Sequence, residues 1–318
     1  MTRAAIPLRV GISMCLLGEK VRFDAGHKKD RFITDVLGAY FEWVPVCPEL
    51  DVGLGVPREP VRLVGSAESP RMIAIESGSD WTLRMQEYSQ RKVRWLSKQN
   101  LSGFILKSAS PSCGMERVKV YGTKGVPAKN GRGLFASSVM NSLTHLPVEE
   151  EGRLQDPGIR DNFIERVFAF HRLRHLQSFF SRKELVAFHT AHKFLLLSHS
   201  PSHYRQLGKL VAHSKIYSRS TLCENYAALF METLRIRTTV KKHVNVLQHI
   251  FGFLKNSLSG KSKSDILAVI EDYRRGIIPL IVPVTLLDHH VRTNDIPYIK
   301  DQIYLHPHPR ELMLRNHV

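Results

Sequence analysis

Three cysteines in the first half of this 318-residue chain, Cys15, Cys47 and Cys113, are the residues whose type and placement best suit chemistry. Each follows a short apolar run of strand type: Cys15 closes RVGISM, Cys47 closes WVPV, and Cys113 comes seven residues after GFIL. Thiolates are soft ligands, suited to iron-sulfur clusters, so three of them together could hold a metal centre. They lie 32 and 66 residues apart, with no local CxxC. In an open parallel sheet, however, the loops at the carboxyl ends of the strands converge on one crevice, where ligands bind. Proline, serine and glycine in CPE and SASPSCG favour tight, exposed turns over apolar packing. An inert buried cysteine is the plain alternative on residues alone, because free cysteine is among the most buried residue types.

The elements that must position these thiols read as alternating strands and helices. Residues 9–14, 43–46 and 103–106 have the character of buried strands, and residues 29–40 and 80–99 have spacings compatible with helices. A further helix starts near residues 131–133 and runs through LFASSVMNSL. This rhythm predicts an α/β domain with a mainly parallel sheet. KNGRGLF reads as a plain helix start, and its glycine pair is a weak sign of an anion site. The stretch PVEEEGRLQDPG, residues 147–158, combines proline, glycine and three successive glutamates and reads as a linker. Beyond it, residues 162–180, 184–199, 204–213, 218–235 and 240–258 carry apolar residues three and four apart, predicting an all-α domain. The expected domains are residues 1–155 and 156–318.

Hydrophobic residues make up 43% of the chain and charged ones 24%, ordinary for a soluble globular protein. No apolar run approaches the roughly 18 to 20 residues of a membrane helix, and the N-terminus is too soon interrupted for a signal peptide. With only four cysteines and no disulfide framework, a cytoplasmic location is expected. The formal charge of +17 is unevenly spread, with 22 basic against 16 acidic residues up to residue 155 and 24 against 13 beyond it. Such a surplus favours anionic partners, nucleic acid foremost, whereas a merely solubilising surface is the bland reading. Fourteen of the sixteen histidines also lie in the second half, among them His189, His192 and His199 in FHTAHKFLLLSH. None forms HExxH, and packed or surface histidines account for them better than a metal site.

CLLGEKVRFDAGHKKD from Cys15, CPELDVGLGVPREP from Cys47 and LKSASPSCG through Cys113 together resemble the thiouracil desulfidase family of bacteria, over roughly residues 8–145. The resemblance implies a 4Fe-4S cluster held by Cys15, Cys47 and Cys113, with a fourth iron that has no protein ligand. It also implies a small-molecule substrate, a thiolated pyrimidine, and points to Glu49 of CPE and Ser110 of SPSC. Glu49 is then the expected acid and base, and Ser110 a positioning donor. By themselves these two read equally well as a solvated loop acid and a turn-forming serine. Arg22, Asp24, His27, Lys28 and Arg58 are expected to line or brace the pocket, chiefly through ion pairs that hold loops. The chain departs from the usual pattern at Ala25 and Val52, where glycines are common.

The second half, through FHTAHKFLLLSHSPSHYRQLGKLVA, KKHVNVLQHIFGFLKNSL, YRRGIIPLIVPVTLLDHHV and YLHPHPRELMLRN, resembles the YbgA-like family, whose role the resemblance does not supply. Cys223 stands alone in SRSTLCENYAAL and reads as a packed helix cysteine in preference to a fourth cluster ligand. Two further functions are compatible with these residues. One is a nucleic-acid-binding protein whose cluster is structural or acts on thiolated nucleosides in RNA, and the other is a cluster-based redox sensor.

Overall fold

A computed structural model describes residues 8–122 and 125–316. The chain divides into two compact units, Met1–Asp156 and Pro157–Val318.

In the first unit a parallel sheet has the order β2 (Glu42–Val46), β1 (Arg9–Ser13), β5 (Leu101–Leu106), β8 (Val148–Glu150). All six residues of β5 are buried, as expected of an inner strand covered on both faces. Phe104 of β5 meets Phe135 with ring centroids 6.0 Å apart, and Phe135 meets Tyr88 at 6.2 Å. These rings tie the sheet to α2 (Thr82–Leu96) and α3 (Leu134–Ser142), which pack on each other. The α/β class with a parallel sheet is therefore as the sequence implies. A second sheet was not anticipated: β3 (Val61–Gly65) pairs antiparallel with β4 (Pro70–Ala74) and parallel with β6 (Val118–Tyr121). Strand β7 (Pro127–Gly131) pairs antiparallel with β6. A four-residue helix, α1 (Pro48–Asp51), follows β2.

Two expectations need correction. Residues 29–40 do not form an α-helix but a π turn at Phe32–Val36 followed by a 3-10 turn at Leu37–Ala39. Ile33, Thr34 and Val36 are β-branched and Gly38 is flexible, so the helical spacing lacks helical propensity beneath it. The supposed linker is not one through Glu150. Val148–Glu150 is strand β8, and Glu149 and Glu150 are only 4% and 5% exposed. A run of like charge ordinarily stays in water, but here each carboxylate has its own partner, as described below.

The second unit is helical: α4 (Pro157–Ser178), α5 (Arg182–His199), α6 (Pro201–Ala212), α7 (Arg219–Arg235), α8 (Val240–Leu254), α9 (Gly260–Arg274), α10 (Ile281–Thr293) and the short α11 (Pro297–Lys300). Ser181, Ser200, Ser218, Thr239 and Ser259 cap α5 to α9, each side-chain oxygen accepting a backbone N–H three residues on. A cap of this kind contributes about 1 kcal/mol and fixes where each helix starts. Apolar faces meet in one core that includes Leu195, Phe230, Leu247, Ile270 and Leu287. Among the described residues no helix is long and apolar enough to cross a membrane.

Candidate active site

Strands β2, β1 and β5 are neighbours in a parallel sheet, so their carboxyl ends lie side by side, about 5 Å from strand to strand. Cys47 directly follows β2, Cys15 lies in the 3-10 turn Met14–Leu17 after β1, and Cys113 sits in the loop after β5. The three come to line one cavity of about 300 Å³, together with Glu49 and Ser110. Topology thus removes the sequence separation.

All three thiols are free and buried. Burial pushes Cys15 up to about 11, the neighbouring Cys47 adds to this, and the Lys107 and Arg22 charges oppose it. Burial also raises Cys47, against a hydrogen bond from the Leu50 N–H. Burial also raises Cys113 well above the usual thiol range, opposed first by the Ser13 hydroxyl. Ser13 Oγ in turn accepts the Lys107 N–H at 2.9 Å. Buried thiols of this kind are stable as anions only with strong positive compensation, which a bound metal supplies outright.

The loop bearing Cys113 is held from several sides. Ser110 Oγ accepts the backbone N–H of Ser112 at 3.2 Å and of Cys113 at 3.1 Å. A Cβ on Gly133 would stand 2.4 Å from the Ser112 carbonyl oxygen and 2.9 Å from the Cys113 nitrogen, so only glycine lets the start of α3 lie against this loop. We expect Gly133→Ala to cost about 2 kcal/mol, the scale of overpacking, and to lower the denaturant midpoint accordingly.

The glutamate run completes the hold. Glu150 accepts the Met115 N–H, and Glu149 accepts from Arg153 Nε at 2.6 Å. Glu151 pairs with Lys107 and accepts the Ser108 N–H and hydroxyl, each at 2.7 Å. Glu151→Gln should destabilise the protein by about 1–3 kcal/mol, read from chemical denaturation, because it leaves the half-buried Lys107 ammonium without its counter-charge.

Glu49, in the first turn of α1, is fixed at both oxygens. Arg58 donates to Oε2 from Nε at 3.2 Å and from Nη2 at 2.6 Å, while Ser112 Oγ donates to Oε1 at 2.7 Å. The Ser110 hydroxyl stands 3.4 Å from the same Oε1, so its stronger contacts are those to its own loop. Arg58 also donates to the carbonyls of Gly55 at 2.8 Å and Val21 at 3.1 Å, which joins three loops around one guanidinium.

Arg22 and Lys28 line the cavity with Arg58, whereas Asp24 and His27 do not. Asp24 pairs with Arg22 at 3.6 Å and His27 Nδ1 accepts the Lys29 N–H at 3.1 Å, contacts that shape the loop. Ala25 has φ 53, the left-handed region that favours glycine, at a cost of about 1 kcal/mol to an alanine. Val52 has an ordinary φ of −81 and leaves the left-handed turn to Gly53 at φ 91. Ser13, Lys107, Ser112 and Glu151 were not foreseen. For Lys107 a signal exists, since it is the residue immediately after strand GFIL and so at the sheet edge where ligands bind.

Among the described residues no group of three or more His, Cys, Asp or Glu is arranged to hold one metal ion. A cubane cluster makes a different demand, because each thiolate binds a separate iron and the sulfurs stand apart around the cluster. Three soft, buried thiols on one cavity, with Lys107, Arg22 and Arg58 as nearby cations, are the kind of donor set such a cluster takes. Cys223, on α7, is partly buried, and its thiol is raised by burial and hydrogen-bonded with Gln177.

Fold and site together define an α/β domain that carries a three-thiol pocket at the ends of its parallel strands. The family described as 2-thiouracil desulfurase matches residues 10–151, and a family of unknown function, DUF1722, matches residues 193–309. The uncharacterized protein YbbK of Bacillus subtilis (strain 168) is 33% identical over 111 residues, covering 32% of this chain and 71% of the relative. The uncharacterized protein YbgA of Escherichia coli (strain K12) is 28% identical over 158 residues, covering 49% of this chain and 94% of the relative. A solved structure described as the 4Fe-4S-dependent thiouracil desulfidase TudS aligns with 28% identity and a TM-score of 0.38, over 47% of this chain and 94% of that one. The chain belongs to the 2-thiouracil desulfurase family, an enzyme family, and joins that domain to a DUF1722 domain.

Proposed function

We propose that the protein is a desulfidase acting on a thiolated pyrimidine, converting a thiouracil and water into the oxo base and hydrogen sulfide with no net electron transfer. The observation that carries this reading is the meeting of three buried thiols from adjacent strand ends on one cavity, which Glu49 also lines. Cys15, Cys47 and Cys113 would hold a 4Fe-4S cluster, and an iron left without a protein thiolate would supply Lewis acidity toward a soft thiocarbonyl sulfur. Glu49 takes a proton from the attacking water and returns one to the departing product. Arg58 locks Oε2 and leaves Oε1, steadied by Ser112, as the oxygen that carries the proton. Phe23, 38% exposed, also lines the cavity and offers a flat face to a flat ring. Free thiols at the site suit a reducing compartment such as the cytoplasm.

The test is anaerobic reconstitution followed by assay on 2- and 4-thiouracil. Loss of thiocarbonyl absorbance matched by released sulfide, unchanged when electron donors are omitted, is the expected result and also separates the enzyme from a redox sensor. Cluster-loaded protein that releases no sulfide from either base would overturn the reading. The family matches lend no support to a nucleic-acid partner.

A further inference from the structure

Ser13 closes β1 at the row where the cysteine-bearing strands end. It pairs in register with Val46, the residue before Cys47, and lines the same cavity as the three thiols. Only 3% of it is exposed, so both the oxygen and the proton of its hydroxyl need partners within the protein. The oxygen accepts the Lys107 N–H at 2.9 Å, which ties the end of β1 to the segment after β5. The proton goes to the sulfur of Cys113, itself 5% exposed. A hydroxyl polarised by an incoming N–H is a better donor, so the two bonds reinforce each other. The other thiols are served differently: Cys47 receives the backbone N–H of Leu50, and Cys15 faces the charges of Lys107 and Arg22.

We propose that Ser13 is a positioning residue that acts through Cys113: its O–H···S hydrogen bond draws charge from the cluster, raising the reduction potential and sharpening the Lewis acidity of the open iron. The inference rests on the cluster assigned to this pocket above, though not on the removal of sulfur from a substrate. Hydrogen bonds to the sulfurs are among the factors that set the potential of an iron-sulfur centre, because they stabilise the more negative, reduced form. Second partners of this kind around a metal ligand tune the metal as well as orient the ligand. The competing role for Ser13 is a plain clamp between two strand ends. A clamp would serve stability and leave the potential where it is.

A redox titration of the reconstituted full-length protein, followed by electron paramagnetic resonance, tests this on the wild type, Ser13→Ala and Ser13→Thr. Ser13→Ala should keep its iron and sulfide but shift the one-electron equilibrium about tenfold toward the oxidised form, a potential about 59 mV more negative. Ser13→Thr, which keeps the hydroxyl, should return to the wild-type value. Should Ser13→Ala not fold, Ser13→Thr set against Ser13→Val makes the same comparison, since threonine and valine have nearly the same shape and differ by the hydroxyl. An unchanged potential in Ser13→Ala, a shift that Ser13→Thr fails to reverse, or equal potentials in Ser13→Thr and Ser13→Val would each overturn the proposal. Sulfide release is scored apart from the potential. A cluster-loaded wild type that releases none ends the desulfidase reading while the Ser13 shift still stands, and an active wild type whose potential ignores Ser13 ends only the present one.

Discussion

Anaerobically prepared Cys15→Ala, Cys47→Ala and Cys113→Ala proteins should each fall to background in iron and acid-labile sulfide, while Cys223→Ala keeps the full content. The contrast follows from position: the first three lie on one cavity at the ends of β1, β2 and β5, and Cys223 lies on α7 of the other unit. Loss of iron would not reflect unfolding, because a buried cysteine behaves as a small hydrophobe and its replacement by alanine costs about 1 kcal/mol. Circular dichroism of the apo variants should therefore match that of the parent. Retention of a full cluster by any of the first three would break the ligand assignment. Loss of it from Cys223→Ala would mean a fourth thiolate and no open iron, and with it the proposed chemistry would go.

Glu49→Gln should lower kcat by about 10²- to 10⁴-fold with iron content unchanged, the range of a lost general acid and base. The amide can still accept from Arg58, so the loops stay in place, but the guanidinium loses its counter-charge at a site where it is only 4% exposed. A stability loss of about 1–3 kcal/mol is expected alongside the kinetic one. Ser112→Ala removes only the 2.7 Å hydrogen bond that steadies Oε1. Its effect on kcat should be near tenfold, the equivalent of about 1.4 kcal/mol, with KM little changed. If Ser112→Ala matched Glu49→Gln, the glutamate would be a structural acid and not the proton carrier.

The thiols and their strands were legible because strands are local, apolar and short, and because a parallel sheet brings strand ends together whatever the loop length. Glu49 was legible through its closeness to Cys47. Of its partners, Arg58 was already expected to brace the pocket by an ion pair, but Ser112 was not, since it reaches Glu49 from a segment whose only sequence signs are turn residues. The same holds more strongly for Glu149, Glu150 and Glu151. Three successive acids read as solvated chain, and nothing nearby names Arg153, Met115 or Lys107 as the groups that receive them. The second sheet was missed for another reason, since the hairpin of β3 and β4 alternates too weakly to stand out, with only Leu63 of β3 and Met72 and Ala74 of β4 buried. In the helical unit the periodic apolar spacing and five Ser or Thr caps made helices plain.

Strand β8 bears on how the two halves can be taken apart. A fragment ending at Pro147 would bare the edge of β5, whose unpaired N–H and C=O groups are a template for aggregation. It would also untether Met115, Ser108 and Lys107, and with them the loop that carries Cys113. A fragment continued to Asp156 keeps both. Poor yield or low iron in a shortened desulfurase half would then report the place of the cut, and only the longer piece gives a fair measure of what that half can do alone.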